Sequence, residues 1–157
     1  MAKKIIILAP LLLISLLSVE QNCYKFHESV GCRVKNTIDF KPFGQSRSAV
    51  VEAGKTYQYQ VVFFGGYDYK IGICTEKGFG PIHIKIINKQ DQTVFYDNLD
   101  DDYVETVGFS NEVTKNAILE ITITASEMEF NDIGDNRVCL GIAIYWHKIP
   151  KMGIGNE

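Results

Sequence analysis

The chain has 157 residues, a formal net charge of −3 and 46% hydrophobic residues. That length fits one domain with one core once an export leader is set aside. The mildly acidic balance argues against a nucleic-acid binder, which needs clustered Lys and Arg, and leaves proteins, sugars and cations open as ligands.

The chain opens with Lys3 and Lys4, followed by an uncharged apolar run over residues 5–18. As a helix this run would reach only about 21 Å, short of the ~30 Å hydrocarbon core of a bilayer. The pattern predicts a signal peptide over residues 1–20, cut between Ser18 and Gln21. An uncleaved membrane anchor is the competing reading. A lipidated Cys23 fits poorly, because Glu20, Gln21 and Asn22 precede it rather than small residues. Removal of Lys3, Lys4 and Glu20 moves the net charge from −3 to −4. No later stretch is apolar for long enough to span a bilayer, so the expected location is secreted or periplasmic, at the cell envelope.

Residues 21–45 follow as an irregular N-terminal cover, the part of the sequence with the weakest pattern. They hold Cys23 and Cys32; Cys74 and Cys139 lie further on. An even number of cysteines in an exported chain reads as two disulfides, with three connectivities open. The favoured pairing is Cys23–Cys32, closing a short loop, with Cys74–Cys139 joining distant segments. A zinc site is the rival, but there is no C-x2-C spacing to support it.

From residue 46 to 149 the sequence alternates with a period of two, the mark of half-buried strands. AVVE (49–52) comes first. Tyr57, Tyr59, Val61 and Phe63 then share one face, with Gln58 and Gln60 on the other. Tyr67, Tyr69, Ile71 and Ile73 oppose Asp68, Lys70, Gly72 and Cys74. Ile82, Ile84 and Ile86 alternate with His83 and Lys85. TVFYD and YVETVGFS continue the pattern. Leu119, Ile121 and Ile123 oppose Glu120, Thr122 and Thr124. Val138, Leu140, Ile142, Ile144 and Trp146 close it. β-branched and aromatic residues dominate these segments. Gly-, Asn- and Asp-rich breaks fall about every ten residues, as between the strands of a sandwich or barrel. Residues 150–157, with Pro and two Gly, read as a flexible tail.

The predicted fold is therefore all-β: an antiparallel β-sandwich of about eight strands, jelly-roll-like. Parity puts Cys74 on the outer side of its strand and Cys139 on the Gly141/Ala143 side of the last one. The small residues Gly72, Gly141 and Ala143 would let another segment lie close, and the loop from Cys23 to Cys32 is the candidate on grounds of size.

The run GQSRSAVVEAGKTYQYQVVFFGGYDYKIGIC, with FYDNLDDDYVETVGF after it, resembles small exported β-sandwich proteins of Bacteroidota. The likeness covers most of the chain after Gln45 and rests on pattern rather than on a catalytic signature. More loosely, the layout is similar to sandwich domains at the C-termini of secreted peptidases and to Golgi-dynamics-type sandwiches. The resemblance implies a non-catalytic binding or stability role, by analogy of fold, which does not fix function.

The chemistry-bearing stretch is DNLDDD. Asp97, Asn98, Asp100 and Asp102 could offer oxygen ligands to Ca²⁺; Asp101 adds a further carboxylate. Tyr103 stands where an EF-hand needs glycine, and no Glu falls at the twelfth position, so an EF-hand is excluded. A second acidic group, Glu127, Glu129, Asp132 and Asp135, could add ligands. The alternative is a hydrated turn, where Asp and Asn bond their own backbone.

Hydrolytic motifs are absent: there is no G-x-S-x-G and no H-E-x-x-H. Ser46 and Ser48 have no base close in sequence. His27, His83 and His147 are scattered, with His83 and His147 expected on exposed strand faces. Outward aromatics for sugar stacking are Tyr145, Tyr103 and Phe79; Tyr57, Tyr59, Tyr67, Tyr69 and Trp146 share parity with the core. The expected function is a non-catalytic binding or adhesion module with a protein or glycan ligand outside the cytoplasm. The alternatives are a Ca²⁺-assisted lectin-like domain and a hydrolase.

Overall fold

The computed structural model describes residues 22–124 and 136–150. The expected signal peptide, the second acidic group and the tail from residue 151 lie outside the described residues. Among the described residues, no helix is long and apolar enough to cross a membrane.

Nine strands are described: β1 (Lys41–Pro42), β2 (Arg47–Glu52), β3 (Thr56–Phe63), β4 (Tyr67–Thr75), β5 (Ile82–Asn88), β6 (Val94–Asp97), β7 (Thr106–Asn111), β8 (Lys115–Ile123) and β9 (Arg137–Lys148). Eight of them coincide with the alternating segments. The ninth, β1, is a two-residue strand ending in proline against Tyr145 and Trp146 of β9. It is too short for a period of two to register.

The antiparallel pairs are nested: β2 with β9, β3 with β8, β4 with β7, and β5 with β6. Pairs β4–β9 and β5–β8 complete the sheets. One sheet therefore runs β2-β9-β4-β7, with β1 also on β9, and the other runs β3-β8-β5-β6. A long double-stranded ribbon wrapped into two sheets in this order is a jelly roll.

The inner faces carry the residues that alternation assigned to them. Val61, Phe63, Tyr69, Ile71, Ile73, Ile82, Ile84, Leu119, Ile121, Val138 and Ile144 are all buried. Each such aliphatic side chain contributes about 1.5–3 kcal/mol by leaving water. Two buried asparagines stitch the ends of the core. Asn111 Nδ2 donates to the carbonyls of Phe63 (2.9 Å) and Phe64 (3.0 Å), tying β7 to the end of β3 across the sandwich. The other is Asn98, in the acidic stretch.

The disulfides join Cys23 to Cys139 and Cys32 to Cys74. The favoured pairing of Cys23 with Cys32 and Cys74 with Cys139 is thus corrected, and the reason is register. Cys74 stands opposite Gly141 on β9, not Cys139. A two-residue diagonal separates Cα atoms by about 7–8 Å, beyond a disulfide's reach. Both cysteines point outward as parity required, and each takes a partner from the N-terminal cover. The cover crosses this face through three-ten turns at Phe26–Glu28 and Val30–Cys32. It lies close above the small residues. A Cβ on Gly72 would stand 2.6 Å from Val34 Cγ2, and one on Gly141 would stand 2.5 Å from Cys32 Sγ and 3.0 Å from His27 Cα.

Candidate functional site

The acidic stretch forms a three-ten turn, Asn98–Asp101, between β6 and β7. Asn98 is fully buried. Its Oδ1 accepts from the Ile84 N–H at 2.7 Å, and its Nδ2 donates to Ile82 O (2.9 Å) and Val104 O (3.1 Å). The side chain stands in for a missing strand partner beside β5. Asp97 Oδ1 accepts from Leu99 N–H at 3.1 Å, capping the turn, and lies 2.8 Å from His83 Nε2. Its Oδ2 lies 3.5 Å from Lys85 Nζ. Burial works against the Asp97 charge, but the Leu99 N–H, His83 and Lys85 together hold its carboxyl below the usual range.

Asp100, Asp101 and Asp102 are exposed. The Tyr96 hydroxyl donates to Asp101; burial first, then this bond and the charges of Asp101 and Asp97, push the Tyr96 hydroxyl up to about 12. Of the four expected calcium ligands, then, Asp97 and Asn98 are committed to protein groups, and Asp100 and Asp102 face solvent. Among the described residues, no three His, Cys, Asp or Glu side chains gather to hold a metal ion.

The acidic turn borders a more open feature. β6 and β7 are the edge strands of the two sheets on one side of the sandwich. Between them is a cleft of about 470 Å³, with Phe63, Phe95, Tyr96, Val104, Val107 and Phe109 among its lining residues. Val94, Phe95, Leu99 and Val104 each keep 44–49% of their surface exposed. Of these, Phe95 and Val104 line the cleft itself, and exposed large apolar side chains at a cleft mark it as a candidate contact surface. Lys115 Nζ lies over the Phe95 ring at 4.7 Å.

The β7 edge also carries free backbone. Ile73 N–H donates to Glu105 O at 2.9 Å, which sets the alternation of the ladder. Thr106, Gly108 and Ser110 therefore turn their N–H and C=O groups away from β4, and no described strand pairs with them there. Sequence reading missed this site. The run VFYD carried the right alternation, but alternation does not say which strands end a sheet.

A second group lies under the N-terminal cover. Ser48 Oγ sits 2.7 Å from His27 Nδ1 and accepts the His27 backbone N–H at 2.9 Å. His27 Nε2 is 3.8 Å from Glu28 Oε1. Ser48 thus has an imidazole beside it, correcting the expectation of no base, which looked only at sequence neighbours. Ser48 stands opposite Gly141 on β9, so the contact anchors the cover to the sheet. Ser46 Oγ accepts from Ile144 N–H at 3.0 Å and donates to Phe43 O at 2.9 Å.

His83 and His147 are half-buried beside Asp97 and Asp68, the latter pair 3.9 Å apart. The three expected sugar platforms are all half-buried. Phe79 packs on the core, Tyr145 packs against the Cys32–Cys74 cluster, and Tyr103 meets His83 edge-on at 6.3 Å.

No family model and no curated protein matches the chain. Among solved structures it is similar to PliG of Aeromonas hydrophila, a periplasmic lysozyme inhibitor of g-type lysozyme. The identity is 10% and the TM-score 0.44, over 65% of this chain and 84% of that one. A likeness at that level carries no argument about function.

Proposed function

We propose that this chain is an exported, non-catalytic binding module that holds an extended segment of a protein partner along its open β6–β7 side. The observation that carries the reading is the coincidence of an apolar cleft with an unpaired strand edge. A peptide laid along β7 would meet the outward N–H and C=O groups of Thr106, Gly108 and Ser110. Its alternate side chains would enter the cleft between Phe95, Val104 and Phe109. Strand addition of this kind takes affinity from main-chain hydrogen bonds and selectivity from the pockets. Two disulfides support a location outside the cytoplasm, where such bonds persist.

The test uses two variants. Gly108→Pro removes an outward N–H while leaving the β4 ladder intact, since proline is tolerated on an edge where its nitrogen faces away from the ladder. Phe95→Asp places a charge at the cleft mouth. The wild-type protein should capture a partner from envelope extract, and both variants should lose it with circular dichroism unchanged. Capture that survives both substitutions, or binding only to a glycan array, overturns the proposal.

A further inference from the structure

At the end of the sandwich beside Gly66, a second pocket of about 350 Å³ is lined, among the described residues, by Phe43, Gly44, Phe64, Tyr67, Tyr69 and Trp146. Its five rings form one continuous arc. Phe64 meets Phe43 at 6.2 Å and 89°, and Phe43 meets Tyr69 at 5.7 Å and 67°. Tyr69 meets Tyr67 at 6.4 Å and 56°, and Tyr67 meets Trp146 at 5.0 Å and 75°. Every neighbouring pair is steeply inclined, so the rings form no single flat platform; Tyr69, 2% exposed, lies beneath, and Phe43, Phe64, Tyr67 and Trp146 keep exposed surface. The rings are placed by strand parity at the ends of β4 and β9 and by the turns before β2 and after β3. Sequence reading assigned Tyr67, Tyr69 and Trp146 to the core, but Tyr67 and Trp146 are only half-buried and Phe64 is 48% exposed.

We infer that this pocket binds a quaternary ammonium group. Ring faces carry negative potential and attract a cation by about 0.5–2 kcal/mol per contact, more as water is excluded. Steeply inclined walls suit a rounded trimethylammonium better than a flat sugar ring, which wants a single platform. The lining has no carboxylate, amide or basic side chain. The Tyr69 hydroxyl is already bonded to the Phe64 backbone, which leaves the Tyr67 hydroxyl as the side-chain acceptor of the lining. A primary ammonium would enter with most of its N–H donors unserved, and a sugar with most of its hydroxyls unserved, each at a desolvation cost. A quaternary ammonium has no N–H to satisfy, so it alone among these loses no hydrogen bond on entry. This inference stands independently of the β6–β7 cleft.

Trp146 is the only tryptophan in the sequence, so its emission reports directly on the pocket. Choline should change that emission saturably at constant ionic strength. Its neutral isostere, 3,3-dimethylbutan-1-ol, should bind about tenfold more weakly, the loss of one desolvated cation–π contact. Phe64→Ala, at an exposed position, should weaken choline about fivefold with the melting temperature little changed. Sedimentation with phosphatidylcholine vesicles, but not phosphatidylglycerol vesicles, would assign the ligand to a lipid headgroup; choline binding without sedimentation would assign it to a free solute. No saturation with choline, equal binding of the isostere, or an emission change with a proline-rich peptide or oligosaccharide in choline's place overturns the inference.

Discussion

The outer faces of the two sheets have opposite surroundings. On β4 and β9, outward positions towards one end are small or sulfur-bearing (Gly72, Cys74, Cys139, Gly141 and Ala143), while Asp68, Lys70, Tyr145 and His147 follow them on the same face. The cover rests on the small and sulfur-bearing positions, and Cys74, Cys139 and Ala143 are as buried as core residues. On β3, β5 and β8, most outward positions are polar, among them Thr56, Gln58, Gln60, His83, Lys85, Asn116, Glu120 and Thr122. Gln58 reaches Glu120 at 3.0 Å, and Thr56 meets Thr122 at 2.7 Å. His83, Lys85 and Asp97 form a charged group there. Both inner faces read alike in sequence, so the size of the outward residues, not their alternation, distinguishes a sheet that takes a third layer.

The contrast breaks most severely if the staples are removed. Cys32→Ser with Cys74→Ser opens a link 42 residues apart in sequence, and Cys23→Ser with Cys139→Ser one 116 apart. On the chain-entropy model these are worth about 4 and about 5 kcal/mol. Each double variant should melt roughly 10–20 °C lower, the second more than the first. Equal melting temperatures in oxidised and reduced wild-type protein would contradict this.

A smaller effect follows from changing one side chain on each face. Gly141→Ala places Cβ against Cys32 Sγ, Cys74 Sγ and the His27 backbone, and should cost about 1–3 kcal/mol as overpacking. Gln58→Ala on the bare face should cost less than about 0.5 kcal/mol. Denaturant midpoints would give both values, and equal losses would mean that the cover floats.

The charged group on the bare face gives a pH signature. Because the folded Asp97 carboxyl titrates below its unfolded value, its stabilising contribution is present above the unfolded value of about 3.9. It is lost as pH falls through the folded value. Asp97→Asn should flatten the acid limb of the stability curve; an unchanged limb would assign that limb to other carboxylates.

The smallest expected effect is that of calcium. Because Asp97 and Asn98 direct their oxygens to Leu99, His83 and Ile84, millimolar calcium should leave the melting temperature unmoved. A rise that disappears in Asp100→Ala with Asp102→Ala would restore the calcium-loop reading.

Much of the sandwich was legible because inward residues such as Ile82, Ile84 and Ile86 obey a local rule, visible within seven residues. The cover was partly legible, since Gly72 and Gly141 advertise a close neighbour. What failed was non-local. The cysteine pairing depended on a register between strands some 65 residues apart. The His27–Ser48 contact joins segments 21 residues apart. Asn98 looked like one acidic-turn residue among several, yet its burial follows from where β5 runs. One pocket lies where sheets end and the other where strands end, and no period announces either.

Strand β9 pairs with β1, β2 and β4 and receives Cys139's partner from the cover. A chain that emerges from a membrane pore N-terminus first therefore holds Cys23 without its mate until almost the whole polypeptide has crossed. During that interval Cys32 is the thiol nearest to it in sequence, ahead of Cys74, and a wrong loop between Cys23 and Cys32 would have to be undone before the last ribbon could dock. Trapping thiols on chains stalled before Arg137 should show that early bond. Maturation would then depend on a disulfide-exchanging helper in the receiving compartment, and the rate of that exchange would limit how fast finished molecules appear.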